Sequence, residues 1–172
     1  GSLALYRHFG ALQALQITEL GQKVFSGQLS QEEQAAQQAL LLSGLDEWLA
    51  DHQDEEKFLY MRARLLSETG VWDRAVADYH NLVSRFPEED SLLAEYAQVL
   101  YLQNNRNLTP DATAFLQQAL QVNPRNVTAL GLLGMHAFEQ QDYKSSVALW
   151  QRLLLIIPQG SPQAETIAAG IA

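Results

Sequence analysis

Residues 123–158 read NPRNVTALGLLGMHAFEQQDYKSSVALWQRLLLIIP, and the punctuation of this stretch decides the fold. Pro124 and Pro158 bound a unit that contains two helical patterns split by a polar turn. In the first, Leu130, Leu133 and Ala137 recur at i, i+3 and i+7, the spacing of one helix face. Asn126 precedes this helix, where its side chain can accept hydrogen bonds from the open N–H groups of the first turn. Asp142 holds the corresponding place before the second pattern, residues 144–154. Gly134 supplies the smallest residue where the two helices of the pair approach closely. A proline cannot continue the helix before it, and its fixed φ suits the turn into the next pair.

The same unit recurs upstream. Pro87 precedes Pro124 by one period plus a short loop insertion near residues 88–90. In the unit 93–126, Tyr96, Val99 and Leu100 mark the first helix. Its second helix opens with Thr109-Pro110-Asp111, which is a cap, a proline at the first helical position and an acid in the first turn. Ala112, Leu116 and Ala119 form the packing face. In the unit 56–89, Leu59, Ala63 and Leu66 precede the turn Thr69-Gly70-Val71-Trp72. A second helix follows, with Asp73 as its cap and Ala75, Tyr79 and Leu82 facing inward. Arg62 falls where a buried leucine is usual, which makes this unit the least regular. The step from Pro124 to Pro158 is the period of the tetratricopeptide repeat (TPR), about 34 residues. The expected fold is all-α, a right-handed superhelical TPR solenoid of about three repeats.

The flanks are helical as well. Residues 31–53 predict one long amphipathic helix, with Ser30 and Glu33 as a capping box and Leu41, Leu45, Trp48 and Leu49 as its stripe. Its expected place is against the first repeat as an N-terminal cap. Residues 3–27 predict one or two shorter helices, interrupted at Gly10 and ended near Gly27. Gly21 and Gly44 read as further helix punctuation. From Gln163 to Ile171 another helix begins, which should cover the last repeat. The layout is thus an N-terminal extension and cap (1–55), three TPR units (56–160) and the start of a C-terminal capping helix (161–172). Gly1-Ser2 resembles a tag-cleavage scar and the chain stops within a helical pattern, so an excised piece of a longer protein is expected.

Composition narrows the function. A formal net charge of −9 repels phosphate backbones and argues against nucleic acid as a partner. With no cysteine, the chain has no disulfide, thiol nucleophile or cysteine-based zinc site. No apolar run approaches the length of a membrane span. His8, His52, His80 and His136 include no pair at i+3 or i+4, so no metal site or haem ligand is expected. The acids Asp46, Glu47, Asp51, Asp54, Glu55 and Glu56 lack the glycine and alternating oxygens of a calcium loop and read as a solvated helix end. Asn107-Leu108-Thr109 and Asn126-Val127-Thr128 match the glycosylation tripeptide, which arises easily by chance. No phosphate loop, nucleophile elbow or catalytic triad is visible, so neither an enzyme nor a cofactor is expected.

The stretches Asn123–Leu130, Ala137–Gln141 and Val147–Trp150 resemble the repeat domain of bacterial cytochrome c maturation proteins, the CcmI type, the C-terminal half of CcmH and NrfG. Leu5-Tyr6-Arg7, Leu29-Ser30-Gln31-Glu32-Glu33-Gln34 and Ile167-Ala168 are similar to segments that flank the repeats in that family. The resemblance implies a periplasmic domain tethered to the inner membrane by segments outside this chain. It further implies a chaperone in haem attachment that captures the C-terminal helix of an apocytochrome c, or a component of the haem lyase complex. The alternative is a generic TPR scaffold in another assembly or secretion complex.

In TPR folds the first helices of the repeats line a concave groove. Counting from the packing faces, the groove positions are Lys57, Tyr60 and Arg64 in the first repeat, then Ala94, Ala97, Tyr101 and Asn104 in the second. Thr128, Gly131, Met135 and Phe138 follow in the third. Small residues would make room, while Tyr60, Tyr101, Met135 and Phe138 would offer adaptable apolar surface. Lys57 and Arg64 put positive charge at one end. This lining suits an amphipathic helix or an extended tail ending in a carboxylate. The second and third repeats supply no groove cation, which argues against the two-carboxylate clamp of chaperone-tail readers.

Overall fold

The computed structural model describes residues 2–172, except the side chains of Tyr6 and His8. Gly1 of the opening dipeptide, the Tyr6 ring of the Leu5-Tyr6-Arg7 flank and the His8 imidazole therefore lie outside the described residues. Among the described residues all regular structure is helical: α1 Ser2–Phe25, α2 Gln31–Asp51, α3 Glu56–Glu68, α4 Trp72–Arg85, α5 Asp90–Gln103, α6 Pro110–Val122, α7 Val127–Glu139, α8 Tyr143–Leu154 and α9 Pro162–Ile171. None of these helices is long and apolar enough to cross a membrane. The chain divides into two compact units, Gly1–Asp78 and Tyr79–Ala172, with the division inside α4.

In the first unit α1 packs on α2 and α2 on α3. The α2 entry is the expected capping box: Ser30 Oγ accepts from Glu33 N, and the Glu33 carboxylate accepts from Ser30 N at 3.1 Å. Leu41, Leu45 and Leu49 are buried along the α2 stripe. The half-buried Trp48 meets Phe58 of α3 edge to face, stacks on His52 at 3.9 Å and donates its indole N–H to Glu55. The expected break at Gly10 is absent. α1 runs unbroken, because one glycine weakens a helix by only about 1 kcal/mol relative to alanine and no proline interrupts this segment. Nor are Gly21 and Gly44 punctuation. A Cβ on Gly21 would stand 2.8 Å from the Met61 sulfur, and one on Gly44 would stand 3.5 Å from Ile17. Only Gly27, with φ +73°, ends α1 as expected.

The irregular Arg62 has a specific use. Its guanidinium makes a two-pronged pair with the buried Asp78 at 2.8 and 2.9 Å and reaches Asp46 on α2 at 3.1 Å. Arg74 joins Asp46 at 2.6 Å. Where a leucine would contribute burial alone, these ion pairs link α2, α3 and the first turns of α4. The two carboxylates, Asp78 foremost, favour the charged guanidinium and push its pKa above the ordinary arginine value. Asp73 lies inside the first turn of α4, which begins at Trp72, two residues earlier than a cap at Asp73 would require.

In the second unit α5 pairs with α6 and α7 with α8, while α6 meets α7, α5 meets α7 and α8 meets α9. Thr109, Asn126, Asp142 and Ser161 each cap a helix through a side-chain oxygen. The loop insertion proves shorter than expected, since Asp90 already belongs to α5. Its carboxylate accepts from the side-chain amides of Asn126 at 2.8 Å and Asn123 at 3.0 Å. The hydrogen bond from Asn126, then that from Asn123, holds the Asp90 carboxyl below its ordinary pKa against the opposing effect of burial. Asn126, whose amide also caps α7, is thus committed to the fold in spite of its glycosylation tripeptide.

Gly134 sets the closest approach in this unit. A Cβ there would lie 2.3 Å from the Trp150 indole nitrogen, and one on Gly170 of α9 would lie 3.2 Å from the same indole ring. Ser146 adds a buried hydrogen bond to the Gly134 carbonyl at 2.9 Å. Gly134→Ala should therefore destabilise the protein by about 2 kcal/mol, because the crowding of the indole outweighs the helix propensity gained. Urea unfolding followed by tryptophan fluorescence checks this, and an unchanged midpoint would refute the close contact.

Candidate functional site

The eleven candidate groove residues fall in both units. In the first unit Lys57 is exposed and Tyr60 is half-buried. The Arg64 guanidinium lies 4.3 Å over the Phe25 ring and pairs with Glu68 at 3.6 Å. It is already engaged by its own unit, and α1 takes part in holding it.

In the second unit the candidates separate. Thr128 and Gly131 line an open hollow of about 250 Å³. Tyr101 and Met135 face each other across α5 and α7, the phenol O–H donating to the thioether sulfur at 3.6 Å. Both are half-buried. Phe138 packs edge to face on Tyr143 with ring centroids 5.3 Å apart, stacks on Trp150 at 5.8 Å, and remains 46% exposed. It sits apart from the hollow but presents an open aromatic face. Ala94 and Ala97 are wholly buried, so a partner cannot touch them. Both are corrections to the expected groove: a methyl group is too short to emerge from a helix packed by α6 and α7. Asn104 is another correction. It is the C-cap of α5, and its side-chain amide donates to the Asn107 carbonyl at 3.1 Å, so it serves the loop.

The residues that complete the hollow lie one step round the helix or beyond the repeats. Gln98 is the α5 side chain that reaches it, and Leu132 is its counterpart one repeat later on α7. Leu153 and Ile157 close the floor, while Gln163 and Ile167 of α9 form the far side. The helix expected merely to cover the last repeat therefore builds the site. None of the lining residues is ionisable. Among the described residues no group of three or more histidine and acidic side chains is placed to hold a metal ion.

Residues 11–164 match the family model described as the cytochrome c-type biogenesis protein H TPR domain. The chain belongs to that family. It is 31% identical over 173 residues to the cytochrome c-type biogenesis protein CycH of Pseudomonas aeruginosa, an alignment covering 99% of this chain and 39% of that protein. It is also 31% identical over 94 residues to the formate-dependent nitrite reductase complex subunit NrfG of Escherichia coli O157:H7, covering 52% of this chain and 48% of the relative. The chain thus spans less than half the length of either relative. A thermophilic TPR protein of Thermus thermophilus shares the fold, with a TM-score of 0.65 at 16% identity over 91% of this chain and 80% of the other. A MamA double mutant gives a TM-score of 0.66 at 16% identity over 91% of this chain and 89% of the other. The all-α TPR fold and the cytochrome c biogenesis family are those the sequence indicated.

Within the family member's second unit, Gly131 and Gly134 differ sharply although both lie on α7. The nearest atom to a Cβ on Gly131 would be the Leu153 Cδ2 at 3.8 Å, an ordinary contact. Gly131→Ala should stabilise the chain by about 0.5–1 kcal/mol through helix propensity alone. Thermal unfolding measures this, and a lowered midpoint would show that the hollow is not open at Gly131.

Proposed function

We propose that this TPR domain is a periplasmic chaperone or adaptor of c-type cytochrome biogenesis, tethered to the inner membrane through parts of a longer protein. It binds the C-terminal segment of an apocytochrome c, or of a haem lyase partner, and so presents the upstream haem-attachment site. Its contribution is binding and positioning, not catalysis. The observation that carries the reading is the combination of family membership with an open, uncharged hollow on α5, α7 and α9. The half-buried Tyr101 and Met135 and the open face of Phe138 extend apolar surface beyond that hollow. Aromatic and thioether side chains provide contact area at little conformational cost, which suits capture of varied segments.

Titration calorimetry with peptides from the C-termini of several c-type cytochromes tests the proposal. Binding is expected, and Leu132→Asp should weaken it by about tenfold or more, since an unpaired carboxylate would stand in the apolar floor. Phe138→Ala and Tyr101→Ala should weaken it less. Absence of binding across all the cytochrome tails at high peptide concentration would refute the reading.

A further inference from the structure

In the first unit α3 seats against α1 at Gly21, whose missing Cβ makes room for the Met61 sulfur. Gln16 and Leu20 lie one turn apart on another side of α1, and there a cavity of about 420 Å³ opens between α1 and α2. Ile17, Leu41 and Trp48 line its depth, and Leu40 stands at its edge, 59% exposed. The apolar surface continues along α1. Leu5 and Leu12 are exposed two turns apart, Leu15 is exposed beside Leu12, and Leu12 lies one turn before Gln16. Arg7 is the one arginine, lysine or acid in residues 1–18. A repeat that ends a solenoid needs a polar outer face, because an apolar stacking face seeks a further layer. The outer face of the α1–α2 pair is instead apolar over an area on the order of a few hundred Å², the size at which a patch marks a docking surface.

We infer that two copies of this chain dock through this face about a two-fold axis. A face that binds its own copy must be its own complement. This one is so in shape and in charge. Leu40 is the projection and the cavity is the recess, so a two-fold axis places Leu40 of each protomer in the cavity of its partner. The rim carries both signs, Lys23 on α1 and Glu47 on α2, and among the described residues neither is held in an ion pair. Glu47 lies two turns beyond Leu40 on the same face of α2, so docking of Leu40 also carries Glu47 to the partner's rim, where Lys23 stands. Leu5, Leu12 and Leu15 widen the footprint toward the roughly 800 Å² per partner that a specific pair buries. A bilayer is the poorer occupant, because the chain carries a net charge of −9 and the rim acid would face lipid phosphates. A lone helix from another protein would fill the recess but leave Leu40 without a recess of its own. The inference stands apart from the peptide-binding reading.

Sedimentation velocity of the whole chain, from about 1 to 500 μM, tests this. The expected result is a reversible monomer–dimer equilibrium within that range. Leu40→Glu would place a carboxylate in the partner's apolar recess and should weaken the dimer by about tenfold or more. Leu12→Glu should weaken it as well. Both positions are exposed in the single chain, so both variants should keep the helical circular dichroism. Lys23→Glu should weaken the dimer by setting like charges together. Lys23→Glu combined with Glu47→Lys should restore most of the loss, because the reversed pair forms again across the two-fold axis. A monomer throughout the range, a dimer indifferent to Leu40→Glu, or no recovery in the double charge reversal would each overturn the inference. Flotation of a monomeric chain with phosphatidylcholine vesicles would overturn it in favour of a lipid surface.

Discussion

The second unit depends on one tryptophan seated on two glycines. Trp150 of α8 presses against α7 at Gly134, where a Cβ would come within 2.3 Å, and against α9 at Gly170. A helix pair buries its apolar face only by stacking with neighbours, and the approach distance fixes how the next helix lies. Trp150 therefore helps to set α9 in place, and α9 supplies Gln163 and Ile167 to the hollow. An alanine at Gly134 would alter the seat of the indole and, through it, the wall of the site. The buried hydrogen bond from Ser146 to the Gly134 carbonyl ties α8 to α7 at the same level.

Charged side chains in both units are engaged in holding helices together. In the first unit Arg62 and Arg74 are engaged by Asp46 and Asp78, and Arg64 by Phe25 and Glu68. In the second, Asp90 is satisfied by Asn123 and Asn126. The buried or half-buried charges among them, Asp46, Arg62, Arg64, Asp78 and Asp90, need partners, and removing one partner would strand the other. These groups therefore fix helices in place, while the hollow itself stays free of charge.

Much of this was legible in the sequence. Prolines one repeat apart, the caps Asn126, Asp142 and Thr109, and the small-residue face of Ala112, Leu116 and Ala119 all follow local rules that the structure obeys. Gly134 was readable because only glycine tolerates so close a neighbour. The site was less legible. Counting groove positions from one repeat to the next pairs Ala94 with Thr128 and Ala97 with Gly131, but equivalent positions are not equally covered. The two alanines are buried in α5 while Thr128 and Gly131 stay partly open. The pair that meets the hollow is Gln98 and Leu132, one position further round the helix. A signal was present: Gln98 is the one polar residue between Tyr96 and Val99, both buried, which marks the face of α5 turned away from the core. Gln163 and Ile167 were missed because an end helix reads as cover, and its share in a concave wall depends on tertiary packing. Arg62 looked like an irregularity because its partners, Asp46 and Asp78, are each 16 residues away.

The central claim is that recognition takes place on the uncharged hollow formed by α5, α7 and α9. Backbone amide NMR of the isotope-labelled chain, titrated with a peptide from the C-terminus of a c-type cytochrome, tests it most directly. The account predicts that the largest shifts cluster at Gln98, Thr128, Gly131, Leu132, Gln163 and Ile167. Shifts concentrated on α1 and α2, with these six residues unmoved at saturation, would contradict it.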